Sequence, residues 1–164
     1  MKKSKICRVC EEKFIKGTRA KSCKECRDFD ILASAIFNNP KREVKVNRED
    51  FPDIGSLARY FRSLYEEQQK RCKYTGYLMY LPYTHAHLKR TGNICSPDRI
   101  NPRGMYQKGN IALILSRINI MKNDIESEVD FYNICKMIIK YFEEEGTHSK
   151  ILTPEEIDNF FPKK

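Results

Sequence analysis

The sequence predicts an α+β protein with an amino-terminal metal-binding knuckle. Three observations carry that prediction. Cysteines fall in two close pairs, "CRVC" and "CKEC", near the start. Apolar residues recur at three- and four-residue steps in stretches on both sides of the middle of the chain, the spacing of amphipathic helices. Between those stretches lie short strand-like runs, "YLMYLPY", "NICSPDRI" and "NIALIL", separated by turn-prone "KRTGN" and "NPRGMYQKGN". With 164 residues the chain can hold one ordinary domain with an appended module. We divide it into a four-cysteine module at 1–27, a helical connector at 28–71, a strand-and-turn core at 72–123 and carboxy-terminal helices at 124–164.

In the first segment Cys7, Cys10, Cys23 and Cys26 form the pattern C-x2-C-x12-C-x2-C. Two tight knuckles of this spacing can meet and offer four thiolates tetrahedrally to one zinc ion. The segment has too few large apolar residues to fold by burial, so metal binding would supply its folding free energy, on the order of 10 kcal/mol for such sites. Four protein ligands leave no open coordination position, which makes the expected role structural. Lys13, Lys16, Arg19, Lys21 and Lys24 surround it either as phosphate contacts or as an ordinary solvated surface. The chain has seven cysteines, an odd number with four in close pairs, which favours a reducing compartment, hence the cytoplasm, over a disulfide framework. Cys72 and Cys95 lack close partners, and Cys135 lies on an apolar helical stripe as a small core residue.

The connector reads as two helices. "DFDILASAIFNN" stops at Asn39-Pro40, and "DIGSLARYFRSLYEEQQK" follows the polar "KREVKVNRED". In the second helix Ile54, Leu57, Ala58, Phe61, Leu64 and Tyr65 share one face, a core stripe. Beyond the strand-like runs a helix begins near Ser116, placed as its N-cap ahead of "RINIMK". The tail carries another apolar stripe, Phe131, Ile134, Cys135, Ile138 and Phe142, which we read as scaffold. Gly146 ends it, and "TPEEIDNFF" opens a last short helix with Thr153 capping and Pro154 at its first position.

A formal charge of +9 and a pI near 9.2 point to a polyanionic partner, with DNA or RNA the usual one. No apolar run is long enough for a membrane span, and "MKKSKIC" meets cysteines without the apolar stretch of a secretory signal, so a soluble intracellular protein is expected. Composition leaves the oligomeric state open.

The densest chemistry lies in "SPDRINPRGMYQKGNIALILSRINIMKN", residues 96–123. Taken as strand, loop, strand and helix, it puts Asp98 near the end of the first strand, Asn110 at the opening of the second and Asn119 in the first turn of the helix. A carboxylate and an amide oxygen converging on one face, completed by water and phosphate oxygens, suit one hard cation such as Mg²⁺ or Mn²⁺. A cation so held stabilises a departing phosphodiester oxyanion. The plain alternative is local: Asn is common in turns because it bonds nearby backbone, and Asp-Arg pairs are often surface ion pairs.

"CKYTG" at 72–76, "SPDRIN", "MYQKGN" and "RINIMK" together resemble the HNH (His-Me finger, ββα-metal) endonucleases, in the phage-type branch with Asp-Arg at the strand end. The resemblance covers residues 72 to about 123, and an amino-terminal zinc module is a common companion in that group. It implies a small ββα-metal core and hydrolysis of DNA phosphodiesters. It implies Asp98 and Asn119 as ligands of Mg²⁺ or Mn²⁺, Asn110 as the residue bracing the loop, and Lys122, with Arg103 and Lys108 nearby, as nucleic-acid contacts. Pro97, Asn101 and Met105 depart from the family pattern. Arg99 stands where typical members carry the histidine that deprotonates water, and a guanidinium cannot accept that proton at neutral pH. Its fork can instead hold phosphate or neutralise transition-state charge. The base would then come from His85 or His87, expected on one face of a strand, or from Tyr106.

Two other readings stand beside the nuclease. One is a catalytically inactive, zinc-containing DNA-binding protein on the same scaffold. The other is a protein-interaction factor acting through the acidic carboxy-terminal helices.

Overall fold

The computed structural model of the chain describes residues 5–12, 14–15, 20–39, 46–87, 93–123, 125 and 127–144. Within them helices and two small antiparallel sheets combine in an α+β arrangement. The cysteine segment forms a ribbon, β1 (Lys5–Ile6) against β2 (Phe14–Ile15), and a 3-10 turn at Lys24–Cys26 runs directly into α1 (Arg27–Phe37). Its partner α2 (Ile54–Glu67) starts on a capping box: Asp53 Oδ1 accepts from the Ser56 N–H at 2.7 Å, and Ser56 Oγ accepts from the Asp53 N–H at 3.2 Å. Such a cap stabilises a helix by about 1 kcal/mol. Leu57, Ala58, Phe61 and Tyr65 are buried along the expected stripe, with Ile54 and Leu64 at its edges.

The cysteine segment shares its core with the rest of the molecule. Cys7, Val9 and Cys26 belong to one continuous cluster with Phe29 and Ala33 of α1, Phe61 of α2 and Leu113 further along. Polar contacts lock the same junction: buried Asp30 accepts from Arg8 Nε at 2.6 Å and Ser22 Oγ at 2.9 Å, and Arg59 Nη1 donates to the Arg8 carbonyl at 2.9 Å. At Gly55 a Cβ would lie 2.4 Å from that carbonyl, so the start of α2 needs glycine to approach it.

The hairpin β3 (Cys95–Arg99) and β4 (Ile111–Leu115) pairs Cys95 with Leu115 and Asp98 with Ala112, and α3 (Ser116–Lys122) follows without a break. Every residue of β4 is buried. Its outer edge is satisfied by side chains and loop backbone: Gln68 donates to the Leu113 carbonyl at 2.7 Å and accepts from its N–H at 3.0 Å, and the Lys73 N–H reaches the same carbonyl at 3.2 Å. Covering an edge this way removes a template for unwanted pairing.

Three expectations are corrected. "YLMYLPY" makes only isolated bridges at Leu78 and Tyr80, because Pro82 begins a turn whose Thr84 N–H and hydroxyl are captured by buried Asp28. Ser116 is the first helical residue and not the cap; its N–H still bonds the Ile94 carbonyl at 2.8 Å, so Leu115 in extended conformation takes the cap position. In α4 (Glu128–Glu144) only Phe131 is buried, against the Tyr74 ring at 5.8 Å, while Ile134, Ile138 and Phe142 are 40%, 46% and 42% exposed. That stripe is therefore not core among the described residues, and Cys135 on it is only partly covered. Gly146, the "TPEEIDNFF" helix, Lys13, Lys16 and Arg19 lie outside the described residues. No described helix is long and apolar enough to cross a membrane.

Candidate functional site

Cys7, Cys10, Cys23 and Cys26 come together, with ligand atoms all within 4.8 Å of one another. Among the described residues no other group of three or more Cys, His, Asp or Glu side chains converges in this way. The Cys10 and Cys23 sulfurs are 3.9 Å apart, close to the roughly 3.8 Å edge of a tetrahedron with 2.3 Å zinc–sulfur bonds. The knuckle backbone points donors at sulfur: the Val9 and Cys23 N–H groups reach Cys7 Sγ at 3.4 and 3.3 Å, and Arg62 Nη1 reaches Cys26 Sγ at 3.6 Å. Burial raises the Cys7 thiol, but hydrogen bonds from the backbone of Cys10, Cys23 and Val9 outweigh it and bring it down to about 6. Burial pushes Cys23 up to about 11, although its hydrogen bond with Cys26 opposes the rise, and burial pushes Cys26 upward as well, with Cys23 and Cys7 adding to it. Crowded thiolates repel one another, and a divalent cation reverses that repulsion. The donor set fits a closed, four-sulfur zinc site.

The second candidate lies on the face of the β3–β4 hairpin that α3 crosses. Alternation along β3 directs Ser96 and Asp98 to this face. Asn119 and Lys122, one turn apart on α3, reach them: Asn119 Nδ2 donates to Ser96 Oγ at 2.8 Å and to the Pro97 carbonyl at 3.3 Å. Lys122 is fully buried and donates to the Arg99 carbonyl at 2.8 Å, with its Nζ 3.1 Å from Asp98 Oδ2 and 3.4 Å from Oδ1. The Oδ2 contact is a charge contact without hydrogen-bond alignment, so that buried oxygen accepts no directed bond among the described residues. Burial raises the Asp98 carboxyl above its ordinary range, and Lys122 only partly offsets the rise. The Asn119 amide nitrogen is thus tied down on the face that also carries the Asp98 carboxylate. Carboxylate and amide oxygens are donor types that Mg²⁺ accepts, alongside water and phosphate.

The loop between the strands is braced from within. Asn110 Oδ1 accepts from the Asn101 N–H at 2.8 Å, and its Nδ2 donates to the Asn101 and Met105 carbonyls at 3.1 and 2.9 Å. At Gly104 a Cβ would stand 2.7 Å from Asn110 Nδ2, so this turn needs glycine. Arg99 also serves the loop: its Nη1 donates to the Pro102 carbonyl and to that of Gly104 at 3.0 Å, and its guanidinium lies 5.5 Å from the buried Tyr106 ring. Arg103 and Lys108 are exposed on the same loop.

His85 and His87 sit in the turn after Leu81 and not on a strand. His85 packs against Tyr80 at 5.3 Å and lines a cleft whose walls include neither Asp98 nor Asn119. The sequence did not point to Ser96, Lys73, Tyr74 or Glu128. Lys73 Nζ and the Tyr74 hydroxyl both donate to Glu128 Oε1, at 2.7 and 3.2 Å, joining the first turn of α4 to the "CKYTG" segment. Burial, then the charges of Asp98 and Glu128, raise the Tyr74 phenol. The motif around Tyr74 was visible, but nothing in its spacing identified a partner on a distant helix. Comparison of the chain with protein-family models, with curated proteins and with solved structures finds no match.

Proposed function

We propose that this protein is a metal-dependent endonuclease of HNH type that hydrolyses DNA phosphodiester bonds on the β3–β4–α3 face, with a structural zinc on Cys7, Cys10, Cys23 and Cys26. The observation that supports the reading is the convergence of Asp98, Asn119 and Lys122 on one face of a hairpin followed directly by a helix. Asp98 and the Asn119 amide oxygen would hold Mg²⁺ or Mn²⁺, which supplies charge stabilisation to the departing oxyanion when bound. Lys122 orients the carboxylate, Asn110 and Arg99 hold the loop in shape, and Arg103 and Lys108 offer exposed cations to the DNA backbone. Arg99, always protonated, does not take the proton of the attacking water.

Plasmid incubated with the zinc-loaded protein and Mg²⁺ or Mn²⁺ tests this. Relaxed or linear product is expected, falling about a hundredfold or more in Asp98→Ala and Asn119→Ala, since the metal contributes several kcal/mol. Cleavage that survives both substitutions overturns the assignment. One observation favours an inactive DNA-binding protein instead: Asp98 is only 5% exposed and already carries an ammonium. That reading expects salt-sensitive DNA binding with no turnover in any divalent ion.

A further inference from the structure

We infer that the cleft between α2 and residues 78–85 receives an unstacked nucleobase. The inference rests on the nucleic-acid reading above and concerns a site apart from the β3–β4–α3 face. The cleft encloses about 420 Å³, inside the roughly 300–1,000 Å³ of small-molecule sites. Its lining includes Phe29 and Met79, both nearly fully buried. On one wall the Tyr80 and His85 rings lie 5.3 Å apart, and the His87 ring continues the row 6.4 Å from His85. Tyr80 and His85 are part-buried beside the cavity, and aromatic rings are the usual platform for bases taken out of a strand.

The charges lining the cleft decide the ligand class. Arg62 and Lys70 stand with Glu25 and Glu66, so the local charge cancels although the chain as a whole is strongly basic. A phosphate would meet two carboxylates there. A neutral heteroaromatic ring carrying both donors and acceptors meets partners for each: carboxylates for exocyclic amino groups, cations for ring nitrogens and carbonyls. The His85 Nδ1 is buried and makes no hydrogen bond among the described residues. A ring flip that brought this nitrogen to a base edge in the cleft would relieve the cost of leaving it unpaired.

The test uses the full-length, zinc-loaded chain with two probes: deoxynucleoside monophosphates, and a short single strand carrying 2-aminopurine. Ring-current shifts of the Met79 and Leu81 methyls and of the His85 imidazole are expected in NMR spectra, with a change in 2-aminopurine fluorescence. His85→Leu should weaken the response about tenfold, within the range that single base-stacking contacts give; Tyr80→Leu is the second variant, and unchanged Leu113 methyl signals report that each variant is folded. A response to the oligonucleotide alone identifies a base presented by a strand, and a response to the monophosphates alone identifies a free nucleotide; either supports the pocket. DNA binding with no shift at Met79 or His85, and with His85→Leu equal to the parent, overturns the pocket and leaves the nucleic-acid reading standing. Absence of binding to any DNA or nucleotide overturns both.

Discussion

Replacing Lys122 by methionine removes the cation buried against Asp98. The side chain of Lys122 is 0% exposed and that of Asp98 6%, so the substitution keeps the volume and removes the only described cation touching the carboxylate. It strips Asp98 of the ammonium at 3.1 and 3.4 Å and the Arg99 carbonyl of its donor at 2.8 Å. Breaking a buried pair from one side costs about 3–5 kcal/mol, because the remaining charge stays desolvated. The pH dependence has a definite sign. Burial raises Asp98 above its ordinary 3.8, so its contribution to stability is fully present below that value and is lost as pH rises through the folded-state value. Lys122 pulls that folded value back down. Without it the folded value climbs further and the loss at neutral pH grows. Urea unfolding of zinc-loaded protein should therefore show Lys122→Met about 3–5 kcal/mol less stable near pH 7 and markedly less so near pH 4. The double variant Asp98→Asn, Lys122→Met should recover much of the loss. A single-variant deficit under about 1 kcal/mol at pH 7, or one that does not shrink on acidification, would refute the account of this pair.

Two further outcomes follow from the same structure. Cys10→Ser should lower bound zinc from one ion per chain towards none by elemental analysis and remove most of the cooperative thermal transition, since the cysteine segment shares its core with α1 and α2. The hydrogen bond from Lys73, with that of Tyr74, holds the Glu128 carboxyl below its ordinary 4.5, so its stabilisation of the α4 docking is present above that value and lost as pH falls through the folded-state value. Because this pair is about 38% exposed, Glu128→Gln should cost no more than about 1 kcal/mol, read as faster hydrogen exchange in the first turns of α4 near pH 7 and a difference from the parent that shrinks as the pH is lowered.

What the sequence disclosed depended on how local the signal was. The α2 stripe and the cysteine spacing rest on neighbours within a few residues, and they were readable. The hairpin strands were readable because apolar runs and turn residues alternate around them. The failures share a different cause. Leu78 and Tyr80 stop short of a strand because Asp28, distant in sequence, captures the turn that follows. Ser116 loses its capping role to a bond with Ile94, a residue just ahead of β3 and distant in sequence. The apolar face of α4 was taken for core because periodicity reports amphipathicity and says nothing of whether a partner covers the face. Arg99 offers the sharpest case: its residue type suggested a phosphate clamp, whereas its geometry ties it to the Pro102 and Gly104 carbonyls.

The proximity of Lys122 to the proposed cation site makes stability and metal binding compete there. With a Mg²⁺–oxygen distance of about 2.1 Å, an ion on Asp98 Oδ2 would stand within a few ångströms of an ammonium that is itself 3.1 Å from that oxygen. A unit and a double charge so close repel by several kcal/mol even at the effective dielectric of a protein surface. Asp98 and an amide oxygen supply one formal negative charge against three positive ones. Phosphate oxygens from the substrate would restore the balance and supply the further oxygens such an ion takes. Mn²⁺ should therefore bind this face weakly or not at all in free protein and measurably once a non-cleavable phosphorothioate DNA is present, with Lys122→Met raising the affinity of the free form. Calorimetric titration of the zinc-loaded chain with and without DNA distinguishes this from a preformed site. Equal Mn²⁺ affinity in both states would mean that Lys122 does not oppose the ion and that substrate phosphate is not needed to hold it.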